Sequence, residues 1–418
     1  MVTEPSLIEQ VLVANQDAFT IGQQQRETFS GIEDDAVTAN TGDHWKRLRK
    51  GLHPAFTWDG IQGYGTRMAE RTADHLDRWE AGDRLDLLTE MRLLALRILG
   101  DTLLGGSIEG DEEVVIDAAD ALVERADPRR FGQLLPDRVP TPTQRRFVRA
   151  VGKLDDYVAD VLAECSPGGG NVGSVLLAAH ERGDLSMAEV QDNMTALLLA
   201  GHDSTAVTLT YAWYELSRHP TLRESLADEV ETVVGNGFLG ADRFDALRRT
   251  RNVVRETLRL YPSTWAVNRE ATETIALGGY EIPAGTQVMI PQWVLHRDDR
   301  FWEEPETFEP SRWEGDTDRP EYAYFPFGGG PRHCIGMRFA RLELVLALAT
   351  MVSRVDLDVS VAEPLTFGPL ALVAPRNRHL GSSPPALTSV SAPSPVTRST
   401  HEVLLDTRQI ESAIRSFR

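Results

Sequence analysis

Cys334 stands in a segment whose residue types suit a thiolate that binds a metal. Residues 327–336 read Phe-Gly-Gly-Gly-Pro-Arg-His-Cys-Ile-Gly, and the chain has only one other cysteine. The glycines permit backbone angles and close approaches that a Cβ would prevent. Because apolar residues recur at helical spacing from Ile335 onward, Cys334 is predicted at a helix start, where free N–H groups and the helix dipole favour a thiolate.

A thiolate held in this way suits an axial ligand of iron, and the glycines leave room for a flat macrocycle. Arg332 could reach a carboxylate on such a macrocycle. The alternative is a buried structural cysteine beside a turn. The pattern F-x-x-G-x-R-x-C-x-G, from Phe327 to Gly336, is long enough to favour the ligand. We interpret Cys165, which precedes Ser-Pro-Gly-Gly-Gly, as incidental.

A second unusual segment lies in the middle of a long apolar helix predicted over 187–218. It reads Ala-Gly-His-Asp-Ser-Thr, and it places Gly201 in a helix interior and Asp203 in an apolar core. Both placements are costly in folding free energy. Residues that are unfavourable for the local structure tend to mark functional sites. The alternative is a helix kink with a satisfied buried acid, and the segment alone leaves the two readings even.

The cysteine segment resembles the haem-binding signature of the cytochrome P-450 family, of the soluble prokaryotic type, and the resemblance covers roughly residues 5–365. It implies that haem b is bound by Cys334, with Phe327 and Gly201 beside the cofactor. It also implies that an acid and an alcohol, Asp203 and Ser204 with Thr205, relay protons during oxygen activation. The family usually has Thr where this chain has Ser204.

The resemblance extends to a structural triad and to cations for the haem carboxylates. Glu256 and Arg259, three residues apart on one helical face, would join Arg312 to hold the loop that supports the cysteine. A dianionic macrocycle needs cations, and the resemblance assigns that role, together with Trp45, to three arginines: Arg49, Arg269 and Arg332. The substrate pocket is expected at Ala196, Ala200, Trp265, Ala266 and Val267.

The elements that must position these residues are mostly helices. Strand signals concentrate at 273–290, where Gly278-Gly279 predicts a hairpin turn. This pattern predicts a mostly α fold with a small β region, and the resemblance implies a helical prism with haem between the long central helix and the helix after the cysteine. Helical periodicity covers residues 66–80, 86–104, 112–125, 143–164, 187–218, 221–234, 249–260 and 337–353.

Composition limits the possible partners and compartments. The chain has 418 residues and a net charge of −20, which argues against nucleic acid and anionic membrane surfaces as partners. Two cysteines suggest a reducing compartment, and no apolar run is long enough to span a bilayer. The sequence therefore predicts a soluble, cytoplasmic protein without a transmembrane segment.

The domain organisation departs from the family at both ends. We expect a catalytic domain over 1–380 that lacks the N-terminal helix and first strands of its relatives. A Ser/Pro-rich linker is expected over 381–400, and a short helix over 401–418.

The activity implied by the resemblance is insertion of one oxygen atom from O2 into a small hydrophobic substrate. Residues 135–147 resemble the lid of relatives that act on fatty acids or terpenoids. Electrons would come from a separate ferredoxin or flavoprotein reductase, for which Arg332, Arg338 and Arg341 form a candidate docking patch. Two alternatives stay open: a peroxide-driven peroxygenase, which the acid–alcohol pair disfavours, and a non-catalytic haem-binding remnant.

Overall fold

The computed structural model describes residues 1–80, 82–126, 141–235, 237–315, 318–359 and 388–391. Helices dominate these residues, as the sequence predicts. The α-helices are α1 Pro5–Glu9, α2 Gln23–Phe29, α3 Gly42–Leu52, α4 Trp58–Ile61, α5 Gly65–Leu76, α6 Leu87–Leu99, α7 Glu112–Ala126, α8 Pro142–Glu164, α9 Val172–Glu181, α10 Met187–Arg218, α11 Pro220–Val234, α12 Arg248–Leu260, α13 Gln292–Leu295 and α14 Met337–Arg354.

Helix α10 is the axis of the fold. Its capping box forms as predicted: Ser186 Oγ accepts from Glu189 N at 3.2 Å, and Glu189 Oε2 accepts from Ser186 N at 2.7 Å. At 1.5 Å per residue its 32 residues span about 48 Å. Its middle is buried on nearly every side, because α6, α8, α12 and α14 all pack against it.

The strands form small antiparallel sheets at the edge of the helical core. Strand β2 pairs with β1 through Ile21↔Arg269 and with β5 through Val267↔Ile290. Gly278 and Gly279, both with positive φ, make the predicted turn between β3 and β4. The strands are β1 Phe19–Ile21, β2 Val267–Ala271, β3 Ile275–Leu277, β4 Tyr280–Ile282, β5 Gln287–Ile290, β6 Asp356–Val359 and β7 Thr388–Ser391.

Strand β7 lies within the segment that the sequence analysis expects to be a linker. Its backbone pairs antiparallel with β6, from Asp356↔Ser391 to Val359↔Thr388, whereas the sequence predicted a linker over 381–400. The Ser/Pro-rich composition hid a four-residue segment with two β-favouring residues, Thr388 and Val390. The rest of that segment, the helix expected over 401–418 and part of the lid-like stretch 135–147 lie outside the described residues.

Candidate functional site

The shape of the cysteine loop depends on its glycines and on a backbone hydrogen bond between its two ends. Cys334 N donates to Phe327 O at 2.8 Å. Gly330 has φ +63°, and a Cβ there would lie 1.9 Å from Leu12 O, so the N-terminal segment packs directly on the loop. Gly336 is the N-cap of α14, which places the cysteine just before the helix, close to the predicted position.

The Cys334 thiol lies in a deep, accessible recess. Its side chain is exposed to solvent, although protein atoms surround it on enough sides that burial raises the pKa of the thiol. The Gly336 N–H and the Arg49 guanidinium lower the same pKa. A bound metal cation would add a much larger effect and deprotonate the thiol outright.

Three arginines surround this recess without anionic partners. Arg332 Nη2 donates to Asn40 O at 2.8 Å, and its guanidinium lies 4.5 Å above the Trp45 ring. Arg269, which is 9% exposed, donates to Asn268 O at 2.9 Å. Arg49 Nη2 lies 3.4 Å from His333 Nε2. Among the described residues, none of these arginines has an ion pair within 4 Å.

Burial and mutual repulsion destabilise this cationic cluster. Burial, followed by the charge of Arg332, lowers the pKa of Arg269 to about 10. Burial, followed by the charge of Arg49, lowers the pKa of Arg332 to about 10 as well. Converging buried cations without carboxylates need an anion, and the two propionates of a haem supply two negative charges. The donor set therefore fits the cofactor that the sequence suggested.

Helix α3 carries Trp45 and Arg49 and is clamped to the start of α10. Arg47 Nη1 donates to Glu189 Oε2 at 2.9 Å, and His44 Nε2 lies 2.7 Å from Glu189 Oε1. Hydrogen bonding from Arg47 lowers the pKa of Glu189 to about 2. Glu189 thus serves both the capping box and the position of α3.

In the middle of α10, one stripe is accessible while the residues around it are buried. Ala200 is exposed, and Leu197, Gly201 and Ser204 are half-buried. The spacing i, i+3, i+4, i+7 puts them on one face, and small side chains there leave interior space beside the helix. Ser204 Oγ donates back to Ala200 O at 2.9 Å. Ala196, also predicted in the pocket, is 3% exposed.

The three predicted catalytic side chains leave α10 in three directions. Asp203 accepts from Arg92 Nε of α6 at 2.7 Å. Thr205 donates to Glu343 Oε2 of α14 at 3.2 Å. Ser204 alone belongs to the accessible stripe. Consecutive helix residues are about 100° apart, so the divergence follows from helix geometry.

Gly201 makes room for a side chain of α6. A Cβ at this position would lie 3.1 Å from both Cδ atoms of Leu99. The glycine that the sequence assigned to the cofactor therefore also lets α6 pack closely on α10.

The predicted triad forms one buried network. Glu256 and Arg259 are fully buried; Arg259 donates to Glu256 at 2.8 and 3.0 Å, and Arg312 Nε donates to Glu256 Oε1 at 2.9 Å. Trp313 Nε1 and Glu309 N add bonds to Glu256 at 2.8 and 3.0 Å. Five donors therefore satisfy one carboxylate, which burial requires.

A histidine missed by the sequence reasoning connects the triad to the cysteine loop. Arg259 Nη1 donates to His296 O at 2.8 Å, and His296 Nε2 accepts from Phe325 N at 3.1 Å. Burial, followed by two neighbouring arginines, lowers the pKa of His296 to about 3, so the ring is neutral and can accept. Phe325 precedes Phe327 by two residues. No spacing signal in the sequence identifies His296.

The predicted pocket residues after α12 lie where β2 begins. Trp265 and Val267 are half-buried, and Ala266 is 9% exposed. Trp293 N donates to Trp265 O at 3.0 Å, and Val267 pairs with Ile290. The sheet thus fixes this apolar segment beside Arg269.

The described residues combine a helical fold, an accessible cysteine before one helix, and arginines around it that have no ion pair within this part of the chain. These are features that a haem site requires. A family profile described as Cytochrome P450 matches residues 1–380. The chain belongs to the cytochrome P450 family. It is an oxidoreductase, a haem-dependent monooxygenase.

Several curated relatives are bacterial enzymes of this family. Cyclooctatin synthase of Streptomyces melanosporofaciens is 32% identical over 84% of this chain and 78% of its own length. Cyclooctat-9-en-7-ol 5-monooxygenase of the same organism is 30% identical over the same shares. Pentalenene oxygenase of Streptomyces avermitilis is 30% identical over 84% and 80%.

Among the helices of the described residues, none combines the length and the apolar content needed to cross a bilayer.

Proposed function

We propose that this chain binds haem b through Cys334 and oxygenates a terpenoid hydrocarbon or alcohol, with electrons from a separate ferredoxin or flavoprotein. The observation that carries this proposal is the accessible thiol among three arginines that have no anionic partner among the described residues. Arg49, Arg269 and Arg332 would bind the propionates, with Trp45 packed against Arg332. When bound, a thiolate-ligated haem supplies oxygen activation and the transfer of one oxygen atom to the substrate.

Residues of α10 would control protons and space on the other side of the cofactor. Ser204 offers a hydroxyl on the accessible stripe, where it can hold or pass a proton. Its present bond to Ala200 O leaves the oxygen lone pairs available to accept. Asp203 is the nearest acid in sequence and would resupply protons once its carboxylate leaves Arg92.

Terpenoids fit the pocket because its proposed lining carries no charge. Leu197, Ala200, Trp265, Ala266 and Val267 offer apolar and small side chains. Such a surface binds hydrocarbon skeletons through the burial of apolar surface area, with few polar groups to orient them. Two of the relatives are named for cyclooctat-9-en-7-ol and for pentalenene.

The substrate class is tested by incubation with panels of farnesane-type and polycyclic terpenes, and of C12–C18 fatty acids as the comparison set. Product mass spectra should show a gain of one oxygen atom with terpenes. Oxygenation of fatty acids alone would overturn the terpenoid assignment.

Redox partners are proposed to dock on α3. The helix carries Lys46 and Lys50, both exposed, beside an open cleft of about 410 Å³ that Trp45 and His53 also line. Such a basic face attracts an acidic ferredoxin despite the total charge of −20. Two residues of the docking patch predicted from the sequence differ in exposure. Arg338, four residues after the cysteine, is exposed, whereas Arg332 contacts Trp45 and Asn40.

Charge reversal tests this docking face. Lys46→Glu with Lys50→Glu should raise the KM for ferredoxin at least about tenfold and flatten its salt dependence. Lys153→Glu, on α8, is the matched control and should change neither. Equal effects of all three substitutions would refute docking at α3.

One measurement separates the proposed function from its alternatives. The purified, haem-loaded protein is reduced and treated with carbon monoxide, and the strongly red-shifted Soret band of a thiolate ligand is recorded. Product formation with ferredoxin, reductase and NADPH is then compared with product formation driven by hydrogen peroxide. Turnover with peroxide alone would support a peroxygenase, and absence of the shifted band in folded, haem-loaded protein would support a remnant.

A further inference from the structure

The loop between α2 and α3, residues 30–41, is held on the first half of α10 by two adjacent side chains. Asn193 Oδ1 accepts from Val37 N at 2.9 Å, and Asn193 Nδ2 donates to Asp35 O at 3.4 Å. Asp192 Oδ2 accepts from Asp35 N at 2.7 Å. Both backbone polar groups of Asp35 therefore have a partner on α10.

Asn193 is the buried member of this pair. It is 0% exposed, and its Nδ2 also donates to Glu189 O at 2.6 Å. Both polar atoms of the amide are thus hydrogen-bonded, as burial requires. Removal of the amide would leave the Val37 N–H without this partner, in a loop whose Ile32 and Ala36 are also buried.

The same loop reaches Asn40, whose side chain closes the loop on itself. Asn40 Nδ2 donates to Asp34 O at 2.9 Å and to Ala36 O at 2.8 Å. The carbonyl oxygen of Asn40 accepts from Arg332 Nη2 at 2.8 Å. Because Asp34 and Ala36 flank Asp35, the part of the loop that α10 holds also locates the Asn40 carbonyl.

Arg332 is held from two sides. Its guanidinium lies 4.5 Å from the centre of the Trp45 ring, and its Nη2 donates to Asn40 O. A cation over a ring is held mainly by electrostatic attraction, whereas a hydrogen bond prefers one direction. Since a guanidinium presents five N–H donors in a rigid fork, the bond to Asn40 also orients the donors that remain.

An arginine that is already positioned binds an anion more tightly than a mobile one. An arginine side chain loses conformational entropy when it is immobilised. This cost no longer falls on anion binding when protein contacts hold the side chain beforehand. Arg332 lies two residues before Cys334, so its contacts with Asn40 and Trp45 prepare a cation beside the predicted iron ligand.

We propose that Asn193 is a positioning residue for Arg332: by holding the α2–α3 loop, it fixes the Asn40 carbonyl that orients the guanidinium. Among the described residues, no hydrogen bond joins Asn193 to Arg332 directly, so the effect passes through the loop. This inference rests on the proposed function, in which Arg332 binds a haem propionate. It gives α10 a second task, which is to position a cation for the cofactor.

Three variants and a matched control test the proposal. Asn193→Ala removes the amide that holds the loop, and Asn40→Ala removes the side chain that closes it. Arg332→Gln removes the cation. The control is Asn171→Ala, because Asn171 is also a buried asparagine, 8% exposed, but its Oδ1 accepts from Ser174 N at the start of α9.

Transfer of haem from the loaded protein to excess apomyoglobin measures how firmly the cofactor is held, without any turnover. Arg332→Gln should speed this transfer at least about tenfold, the usual effect of losing one hydrogen bond to a charged group. Asn193→Ala and Asn40→Ala should each speed it about threefold, because Trp45 still contacts the guanidinium. Asn171→Ala should leave the rate unchanged, although it removes a helix cap.

The double variant separates positioning from a general loosening of the fold. In the Arg332→Gln background, Asn193→Ala should have no further effect, since no guanidinium remains to be oriented. If Asn193→Ala speeds the transfer equally with and without Arg332, or if Asn171→Ala speeds it as much, the positioning role is overturned. If Arg332→Gln itself leaves the transfer rate unchanged, the propionate assignment in the proposed function fails, whatever Asn193→Ala does.

The reduction potential of the bound haem iron is a readout that loop packing alone does not change. Arg332→Gln and Asn193→Ala should both lower it, the second by less, because a nearby cation favours the reduced state, which carries less positive charge. Asn171→Ala should keep the native value. If Asn193→Ala fails to fold, as circular dichroism would show, Asn40→Ala and its double variant with Arg332→Gln carry the same test. A native potential in both loop variants would overturn the proposal.

Discussion

The hydroxyl of Thr205 donates to Glu343 Oε2 at 3.2 Å and so joins the central helix to the helix after the cysteine. Glu343 is 1% exposed, and its other oxygen has no hydrogen-bond partner among the described residues. Burial raises the pKa of Glu343 to about 8, so this carboxyl is mostly neutral at pH 7. The contact is a hydrogen bond between two uncharged groups in a buried interface.

Ionisation of Glu343 should weaken the fold as the pH rises toward 8. Because its folded pKa lies above the ordinary value of 4.5, its contribution to stability is full below pH 4.5 and is lost as the pH rises through about 8. The slope is on the order of 1 kcal/mol per pH unit within that window. Glu343→Gln, which cannot ionise, should remove this component.

Urea unfolding followed by circular dichroism at pH 6, 7, 8 and 9 measures this effect. The Glu343→Gln variant should lose less stability between pH 6 and 9 than the native chain does. Glu281→Gln, on the exposed face of β4, is the control and should follow the native curve. Identical pH dependence of native and Glu343→Gln proteins would contradict the assignment.

Removal of the Ser204 hydroxyl should uncouple electron consumption from product formation. Ser204 lies on the accessible stripe, so Ser204→Ala takes away a proton carrier and should raise the hydrogen peroxide released per NADPH several-fold. Thr205→Val should instead cost about 1 kcal/mol of stability, since its hydroxyl serves Glu343, and leave the peroxide yield unchanged. Peroxide assays on both variants decide this, and a rise in Thr205→Val alone would reverse the roles.

Loss of the Glu256 charge should destabilise the cysteine loop from a distance. Glu256→Gln leaves Arg259 buried without its anion, which costs about 3–5 kcal/mol. Asp245→Asn breaks an exposed pair with Arg251 and should cost less than about 1 kcal/mol. Urea unfolding gives both values, and the ratio of Soret to protein absorbance after purification reports haem retention. Similar small losses for both variants would show that the network is dispensable.

Substitution of the two cysteines should separate their roles. Cys334→Ala should abolish the strongly red-shifted Soret band of the reduced carbon monoxide complex. Cys165→Ala should keep it, because the Cys165 thiol donates to Leu104 O at 3.2 Å and lies away from the cysteine loop in the chain. A shifted band that survives in Cys334→Ala would assign the iron ligand elsewhere.

The sequence predicted the long helices well, because their apolar periodicity is strong and local. Helix α10 has the predicted bounds, 187–218, and α14 differs from 337–353 by one residue. Apolar periodicity did not identify helix α3, because charged residues interrupt its apolar positions. Strand β1 was also missed: it has three residues, and its partner β2 lies about 250 residues later in the chain.

The sequence predicted which residues belong to the site, but it did not predict which neighbours their side chains contact. Helix geometry spreads Asp203, Ser204 and Thr205 around α10, but only tertiary packing decides which neighbour each one meets. Arg92 and Glu343 have no motif that marks them, since a single charged residue in a helix is usually a solvated one. Their contacts with Asp203 and Thr205 depend on how α6 and α14 pack against the central helix.

The chain has only three lysines, and two of them, Lys46 and Lys50, are exposed on α3. An amine-selective cross-linking reagent therefore has few targets: these two, Lys153 and the α-amino group. Mapping of cross-linked peptides by mass spectrometry would locate an electron donor, with few cross-links expected at other amines. Because lysine is scarce, cross-links at Lys46 and Lys50 would identify the proteins that bind at α3.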